Sequence, residues 1–270
     1  MRQVFDNIVL SSNENPKYIQ FWPLVSWAWK SLFNAKVHLA FVTNRQDNDP
    51  YIEELRKHGN VVVYPEIDGI PSANNSKMAR HYFASILGEE VCLINDVDLL
   101  PLQREYIYNV TDKFLPNSIL CVGADVYKGS VDEGKFPIGY MTAKGNTFRE
   151  IINPNNLQYT EWIKSFIGNR VFDHKEDISS NVDNENPETF SDESIFRCMI
   201  HRWNKPDRVI HIERGFNPYT QRAIDRASWK NDPELLANGT YVEAHLSRPF
   251  DAYIEQFKPL IEHIRKKYEQ

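Results

Sequence analysis

Two carboxylates one residue apart, Asp96 and Asp98, interrupt an apolar run in the stretch EEVCLINDVDLLPL at 89–102. If the backbone stays extended there, side chains alternate and both acids point to one side of a strand end. Like charges that close raise one another's pKa unless something positive lies between them, and a divalent cation with oxygen ligands is the commonest solution. The plain alternative is that one aspartate caps the next turn and the other is solvated. A second acidic pair, Asp192 and Glu193, follows Ser191. Ser191 is a good N-cap, and acids in a first helical turn stabilise the helix dipole without doing chemistry. Placed beside a reacting hydroxyl, either one could act as a general base.

The elements that must position these acids alternate strand and helix. NIVLSS (7–12), KVHLAFVT (36–43), NVVVY (60–64) and VCLIN (91–95) read as strands. Between them lie Phe21, Leu24, Val25, Ala28, Trp29 and Leu32 at helical spacing, a helix opened by Asp49-Pro50 and closed at Gly59, and a helix over 76–87 ended by Gly88. That order predicts an α/β fold with a parallel sheet and right-handed crossovers. Ligands of such sheets bind at the carboxyl ends of the strands. Ser11, Ser12 and Asn13, then Thr43 and Asn44, then Glu66 and Asp68, then Asp96 to Asp98 are therefore expected on one rim. Beyond the acids the alternation stops. Strands are expected at 118–123 and 138–143 and helices at 145–152, 158–167, 191–203 and 251–268, with a long polar segment from Gly168 to Phe190 as a lid or insertion.

Composition narrows the function. The chain has 270 residues, 41% hydrophobic and 25% charged, with a net charge of -6. That balance describes a globular protein and argues against a general nucleic-acid or membrane-surface binder. The three cysteines have no CxxC spacing and lie in apolar segments, as buried thiols of a reducing compartment do. Neither a signal peptide nor a transmembrane helix is read here, and a cytoplasmic location is expected.

With the strand pattern and the DVD stretch together, the chain resembles glycosyltransferases of the GT-A fold. SKMARHYFA (76–84) places Lys77 and Arg80 on the helix before the motif strand, FSDESIF (190–196) is similar to the acidic pattern bordering the acceptor site, and AHLSRPF (244–250) resembles the later His and Arg-Pro element of glycogenin-like transferases. Only Leu246 and Ser247 separate His245 from Arg248, and the glycine usual in that element is missing. The resemblance implies one Rossmann-like domain over 1–270, with a nucleotide-binding half (1–100) and a smaller acceptor-binding half (101–270). It implies Mn²⁺ or Mg²⁺ on Asp96, Asp98 and His245, and a UDP- or GDP-sugar donor contacted by Ser11, Ser12, Asn13, Asn44, Asp68, Lys77, Arg80, Asp96, Val97 and Arg248. Asp192 and Glu193 would stand at the reacting centre, with a glycan or glycoconjugate hydroxyl as acceptor.

Two other classes compete. A sugar-nucleotide nucleotidyltransferase would open with a Gly-rich basic loop after the first strand, where this chain reads SSNENPKY. A carbohydrate-binding module that keeps the fold without chemistry would have no need of intact DVD and DES stretches. Trp22, Trp27 and Trp29 read as core, and Trp229 as the better candidate for stacking on a sugar ring.

Overall fold

Four apolar, β-branched runs become strands: β1 (Asn7–Asn13), β2 (Lys36–Val42), β3 (Asn60–Tyr64) and β4 (Val91–Ile94). They are seen in a computed structural model that describes residues 3–123, 125–127, 135–168, 192–213 and 222–269. The expected lid segment lies, from residue 169 onward, outside the described residues. β1 pairs in parallel with β2 and β4, and β2 with β3. β2 is buried from Val37 to Val42, as a strand covered on both faces must be.

The helices between these strands are α1 (Pro16–Ile19), α2 (Trp22–Leu32), α3 (Pro50–Arg56) and α4 (Ser72–Ser85). Asp49 caps α3 by accepting from Tyr51 N at 2.8 Å, with Pro50 at the first position, as the sequence predicts. Gly59 is required by close approach, because a Cβ there would stand 2.7 Å from the Trp22 ring. α4 begins four residues before the expected Ser76, and Gly88 follows it with φ +62°.

After β4 come β5 (Leu99–Pro101), α5 (Arg104–Thr111), β6 (Ile119–Val122), β7 (Met141–Lys144), α6 (Gly145–Ile152), α7 (Tyr159–Gly168) and α8 (Asp192–Trp203). Then follow β8 (Val209–Ile212), β9 (Ala223–Ile224), α9 (Pro233–Ala237), β10 (Glu243–His245) and α10 (Phe250–Tyr268). The strand expected at 138–143 starts only at Met141, because Tyr140 takes a positive φ of 62° that breaks the extended run.

Among the described residues the main sheet has seven strands in the order β3-β2-β1-β4-β7-β6-β8. It is mostly parallel: only β7 runs against its neighbours, β4 and β6. Side chains of β4 alternate between two cores. Leu93 joins Trp22, Trp29, Phe257 and Leu260 beneath α2 and α10, while Cys92 and Ile94 join Met78, Phe148, Trp162 and Phe196 beneath α4, α6, α7 and α8. Each such large side chain contributes about 1.5–3 kcal/mol by leaving water. The chain expected to divide near residue 100 shares this one sheet, with β1 to β4 before that point and β6 to β8 after it. Among the described residues no helix is long and apolar enough to cross a membrane.

A second sheet of three strands, β5-β10-β9, sits beside the acids. β10 runs antiparallel to β5, with His245 opposite Leu99, and parallel to β9, with Ala244 opposite Ile224. His245 is therefore the last residue of a three-residue strand rather than part of a loop.

Candidate active site

Asp96 and Asp98 do not project from an extended strand. Leu99 N donates to Asp96 O at 3.3 Å, closing a turn that swings the two acids to different partners. This corrects the alternation expected of them. The side chain of Asp96 is 40% exposed and lines a crevice of about 250 Å³ together with Tyr127, Glu193, Asp225, Glu243 and His245. Asp98 lies behind His245 and is buried. Val97, between them, packs its side chain into the apolar core.

The small sheet explains the arrangement around Asp98. Because His245 sits opposite Leu99, the preceding Asp98 stands beside the imidazole, with Nε2 to Oδ1 at 3.6 Å. Continuing the parallel pairing by one residue brings Asp225 to the other flank, with Nδ1 to Oδ2 at 3.8 Å. Arg226 Nη1 donates to Asp98 Oδ2 at 2.6 Å, and Arg248 Nε is 3.8 Å from the same oxygen, with its guanidinium 4.6 Å over the Tyr18 ring. Burial alone would raise the Asp98 pKa, but His245, Arg226 and Arg248 outweigh it and hold the carboxyl well below its usual range. Burial likewise pulls His245 down, and the two aspartates overcome it, pushing its pKa up to about 9.

A second knot of charge lies behind Asp96. Arg80 is 5% exposed. Its Nη1 donates to Asn95 O at 3.1 Å and Asp96 Oδ1 at 2.5 Å, and its Nη2 to Asp192 Oδ2 at 2.7 Å. Arg80, expected to contact the donor, turns its guanidinium inward as a clamp on Asp96 and Asp192. His81 Nε2 lies 3.4 Å from the same Asp192 oxygen, and its ring stacks on Phe196 at 5.0 Å. Burial lowers the His81 pKa, so a neutral ring donates from Nε2. Against burial, Arg80 and His81 hold Asp192 well below its usual range. One residue on, Glu193 faces the crevice and accepts from Tyr127 Oη at 2.7 Å, while burial, then Asp192 and Asp96, push its pKa up to about 7.

The expected nucleotide rim forms a separate set of contacts at the carboxyl ends of β1, β2 and β3. Asn13 Nδ2 donates to Ser72 Oγ at 3.2 Å, Ser72 Oγ to Glu66 at 2.8 Å, and Asn44 Nδ2 to Glu66 at 2.9 Å. Ser11 is half-buried, Ser12 is buried and bonded to Asn13 O, and Asp68 and Lys77 are exposed. None of these lines the crevice. Trp229 packs edge-on against Phe257, 5.6 Å between ring centres. Asp225, Arg226, Glu243 and Tyr127 escape sequence reasoning: they belong to no spaced motif, and only strand register brings the first two to His245.

The donors suit a divalent ion in part. Among the described residues no three His, Cys, Asp or Glu side chains cluster closely enough to hold a metal as they stand. Asp98 and His245 do fit as a pair, since ligands each about 2.1 Å from one ion stand no more than about 4.2 Å apart, and theirs are at 3.6 Å. Carboxylate oxygen with imidazole nitrogen is also a donor set that Mn²⁺ accepts. Asp96 shares the crevice but is turned to Arg80.

No protein-family model and no curated protein matches the chain. Solved structures similar to it include the galactosyltransferase LgtC in complex with donor and acceptor sugar analogs, at 13% identity and a TM-score of 0.49 over 96% of this chain and 95% of that one. A glycosyltransferase involved in glycosylation of the major capsid of PBCV-1 gives 14%, 0.42, 96% and 98%. The glycosyltransferase GlyE of Streptococcus pneumoniae TIGR4 gives 12% and 0.42 over 97% of this chain and 64% of its own.

Proposed function

We propose that this chain is a glycosyltransferase of the GT-A type. It moves a sugar from a UDP- or GDP-sugar to a hydroxyl of a glycan or other glycoconjugate, with Mn²⁺ or Mg²⁺ as cofactor. The observation that carries the reading is one crevice, at the carboxyl end of β4, in which Asp96, Glu193 and His245 converge with the Asp98 carboxylate directly behind, 3.6 Å from the imidazole. Ligands of α/β sheets bind at that end of the strands. Asp96, Asp98 and His245 would hold the metal, which supplies Lewis-acid stabilisation of the leaving diphosphate. Arg248 and the rim residues Asn13, Asn44, Asp68 and Lys77 orient the nucleotide, with Ser11, Ser12 and Val97 shaping the strand ends beneath it. Transfer forms a bond from the acceptor oxygen to the anomeric carbon and breaks the bond to the diphosphate. Glu193 exchanges the acceptor proton, for which a pKa of about 7 suits it. Asp192 acts through Arg80, holding the first turn of α8 in place. Cys92 and Cys121 are free, buried thiols, which supports work in the reducing cytoplasm.

A second reading of the cofactor line has its own support. Three cationic side chains, Arg226, Arg248 and His245, already converge on Asp98, and cations of this kind can carry the charge of a diphosphate without a metal. Thermal unfolding with UDP, GDP, CMP or CTP, in Mn²⁺ and in EDTA, separates the possibilities. The metal-dependent transferase is stabilised by a nucleoside diphosphate only in Mn²⁺. Equal stabilisation in EDTA selects the arginine reading, preference for CTP selects nucleotidyl transfer, and indifference to every nucleotide rejects a donor site.

A further inference from the structure

Between α6, α7 and the far end of α8 lies a second crevice, of about 390 Å³, larger than the one that Asp96 lines and sharing no residue with it. Trp203 stands on its wall as the last residue of α8, ten residues beyond Glu193 and so about 15 Å along the helix. The floor is apolar, made by the buried side chains of Ile151, Ile152, Trp162 and Met199. Trp203 is held in place from outside. Its Nε1 donates to Glu150 Oε2 at 3.2 Å, and the same oxygen accepts from Lys205 Nζ at 2.8 Å and Arg208 Nη1 at 3.4 Å. Both cations also lie over the indole, 5.2 and 5.6 Å from the ring centre. The charge of Glu150 is therefore more than neutralised. Arg202, exposed on the rim, has neither a hydrogen bond nor an ion pair among the described residues.

On a chain of net charge -6, this is a locally positive crevice with an apolar floor. Small-molecule sites combine such a floor with a few polar groups that fix orientation. A free guanidinium is a fork for carboxylate or phosphate. A pyranose ring carries C–H groups on its faces and hydroxyls at its edge, which suits an aromatic wall bordered by Arg202 and the exposed Asn155 amide. We propose that this crevice is a second glycan site, which takes an acidic sugar unit of the acceptor, one bearing a carboxylate or a phosphate, away from the reacting centre. The choice of a glycan rests on the transferase reading, whereas the demand for an anion with an apolar face comes from the crevice alone.

Indole ¹H–¹⁵N spectra of the full chain, with the Trp203 signal assigned by its loss in Trp203→Phe, report binding without any nucleotide. Tetragalacturonate and glucose 6-phosphate should each move that signal at low salt, and the stronger of the two names the acid. The methyl ester of tetragalacturonate and plain glucose should bind at least about 10-fold more weakly, since a hydrogen bond to a charged group is worth that much in affinity. Arg202→Gln, at an exposed position, should abolish the difference. Equal binding of acidic and neutral forms, an unchanged preference in Arg202→Gln, or a Trp203 signal that none of them moves overturns the site. Tighter binding of inorganic phosphate or octanoate than of either acidic sugar overturns the glycan assignment. Nucleotide binding is read separately by thermal unfolding, so its failure sinks the transferase reading while the Trp203 titration still judges the crevice.

Discussion

Asp96 and Asp98 are near neighbours in the chain but belong to two different knots of charge. The first, Arg80 with Asp192, His81 and Asp96, is sealed on every side but that of Asp96: Arg80 and Asp192 are each 5% exposed and lie between α4 and α8, while the Asp96 side chain opens on the crevice. The second, Asp98 with His245, Asp225, Arg226 and Arg248, is built on the short β5-β10-β9 sheet and stays half-open, with the side chains of His245 and Arg226 30% and 31% exposed. A sealed ion pair contributes geometry, since its net gain over an apolar pair is small or negative but removal of one member leaves an uncompensated charge. A half-open one keeps groups within reach of a ligand. On the proposed reading, the Arg80–Asp192 pair is scaffold for the DVD turn, and the second knot, together with Asp96, is where ligand charge would be met.

The largest effect that tests this division is on stability in the sealed knot. Arg80→Leu leaves Asp192 buried without its guanidinium and should cost about 3–5 kcal/mol, measured by urea unfolding at pH 7. Adding Asp192→Leu should recover at least half of the loss, because the uncompensated carboxylate goes with it. A loss from Arg80→Leu below about 1 kcal/mol, the range of exposed pairs, would mean the knot is not sealed.

In the open knot the larger effect should be on ligand linkage. A nucleotide with Mn²⁺ at a hundred times its dissociation constant adds about 2.7 kcal/mol to the parent by mass action. In Asp98→Asn that increment should vanish, whereas in Asp192→Asn it should persist on a less stable protein. Differential scanning calorimetry of both variants with and without ligand checks the contrast, and an intact increment in Asp98→Asn would make the two knots alike.

These two knots were unequally visible in the sequence. The parallel half was legible because β1 to β4 are continuous apolar runs and Asp49-Pro50 and Gly88 punctuate their helices as their chemistry requires. Asp96, Asp98, Glu193 and His245 carry their chemistry in their types and order, so they could be named. Arg80 could be named too, but the direction of its side chain follows from burial of α4. That helix mixes Asn74, Asn75, Arg80 and His81 into its buried face, and periodicity alone cannot foresee a polar face turned inward. Asp225 and Arg226 were invisible for another reason. Their position depends on pairing between a two-residue strand and a three-residue strand far apart in the chain, and pairs that short leave no alternating pattern to read.

The smallest expected effect lies where the knots meet. Asp192 and Glu193 adjoin in α8, yet one is sealed with its pKa held far down and the other lines the crevice with its pKa pushed up to about 7. Their contributions to stability therefore have opposite signs. Asp192, depressed, stabilises above its unfolded pKa of about 3.9, and that contribution is lost as pH falls toward its folded value. Glu193, raised, binds a proton in the folded protein that the unfolded chain has released. Between an unfolded pKa of about 4.3 and about 7, stability falls as pH rises, and the full penalty stands above that window. One pKa unit corresponds to about 1.4 kcal/mol, and Glu193 is only half-buried, so solvent screening reduces the penalty to about 1–2 kcal/mol. Glu193→Gln removes the titration while keeping an acceptor for Tyr127 Oη. It should be more stable than the parent by that amount at pH 8 and no more stable at pH 4.5, while transfer is lost at both. Equal stability of variant and parent at pH 8 would place Glu193 in an environment as solvated as the surface, and the boundary between sealed and open would then run through α8 elsewhere.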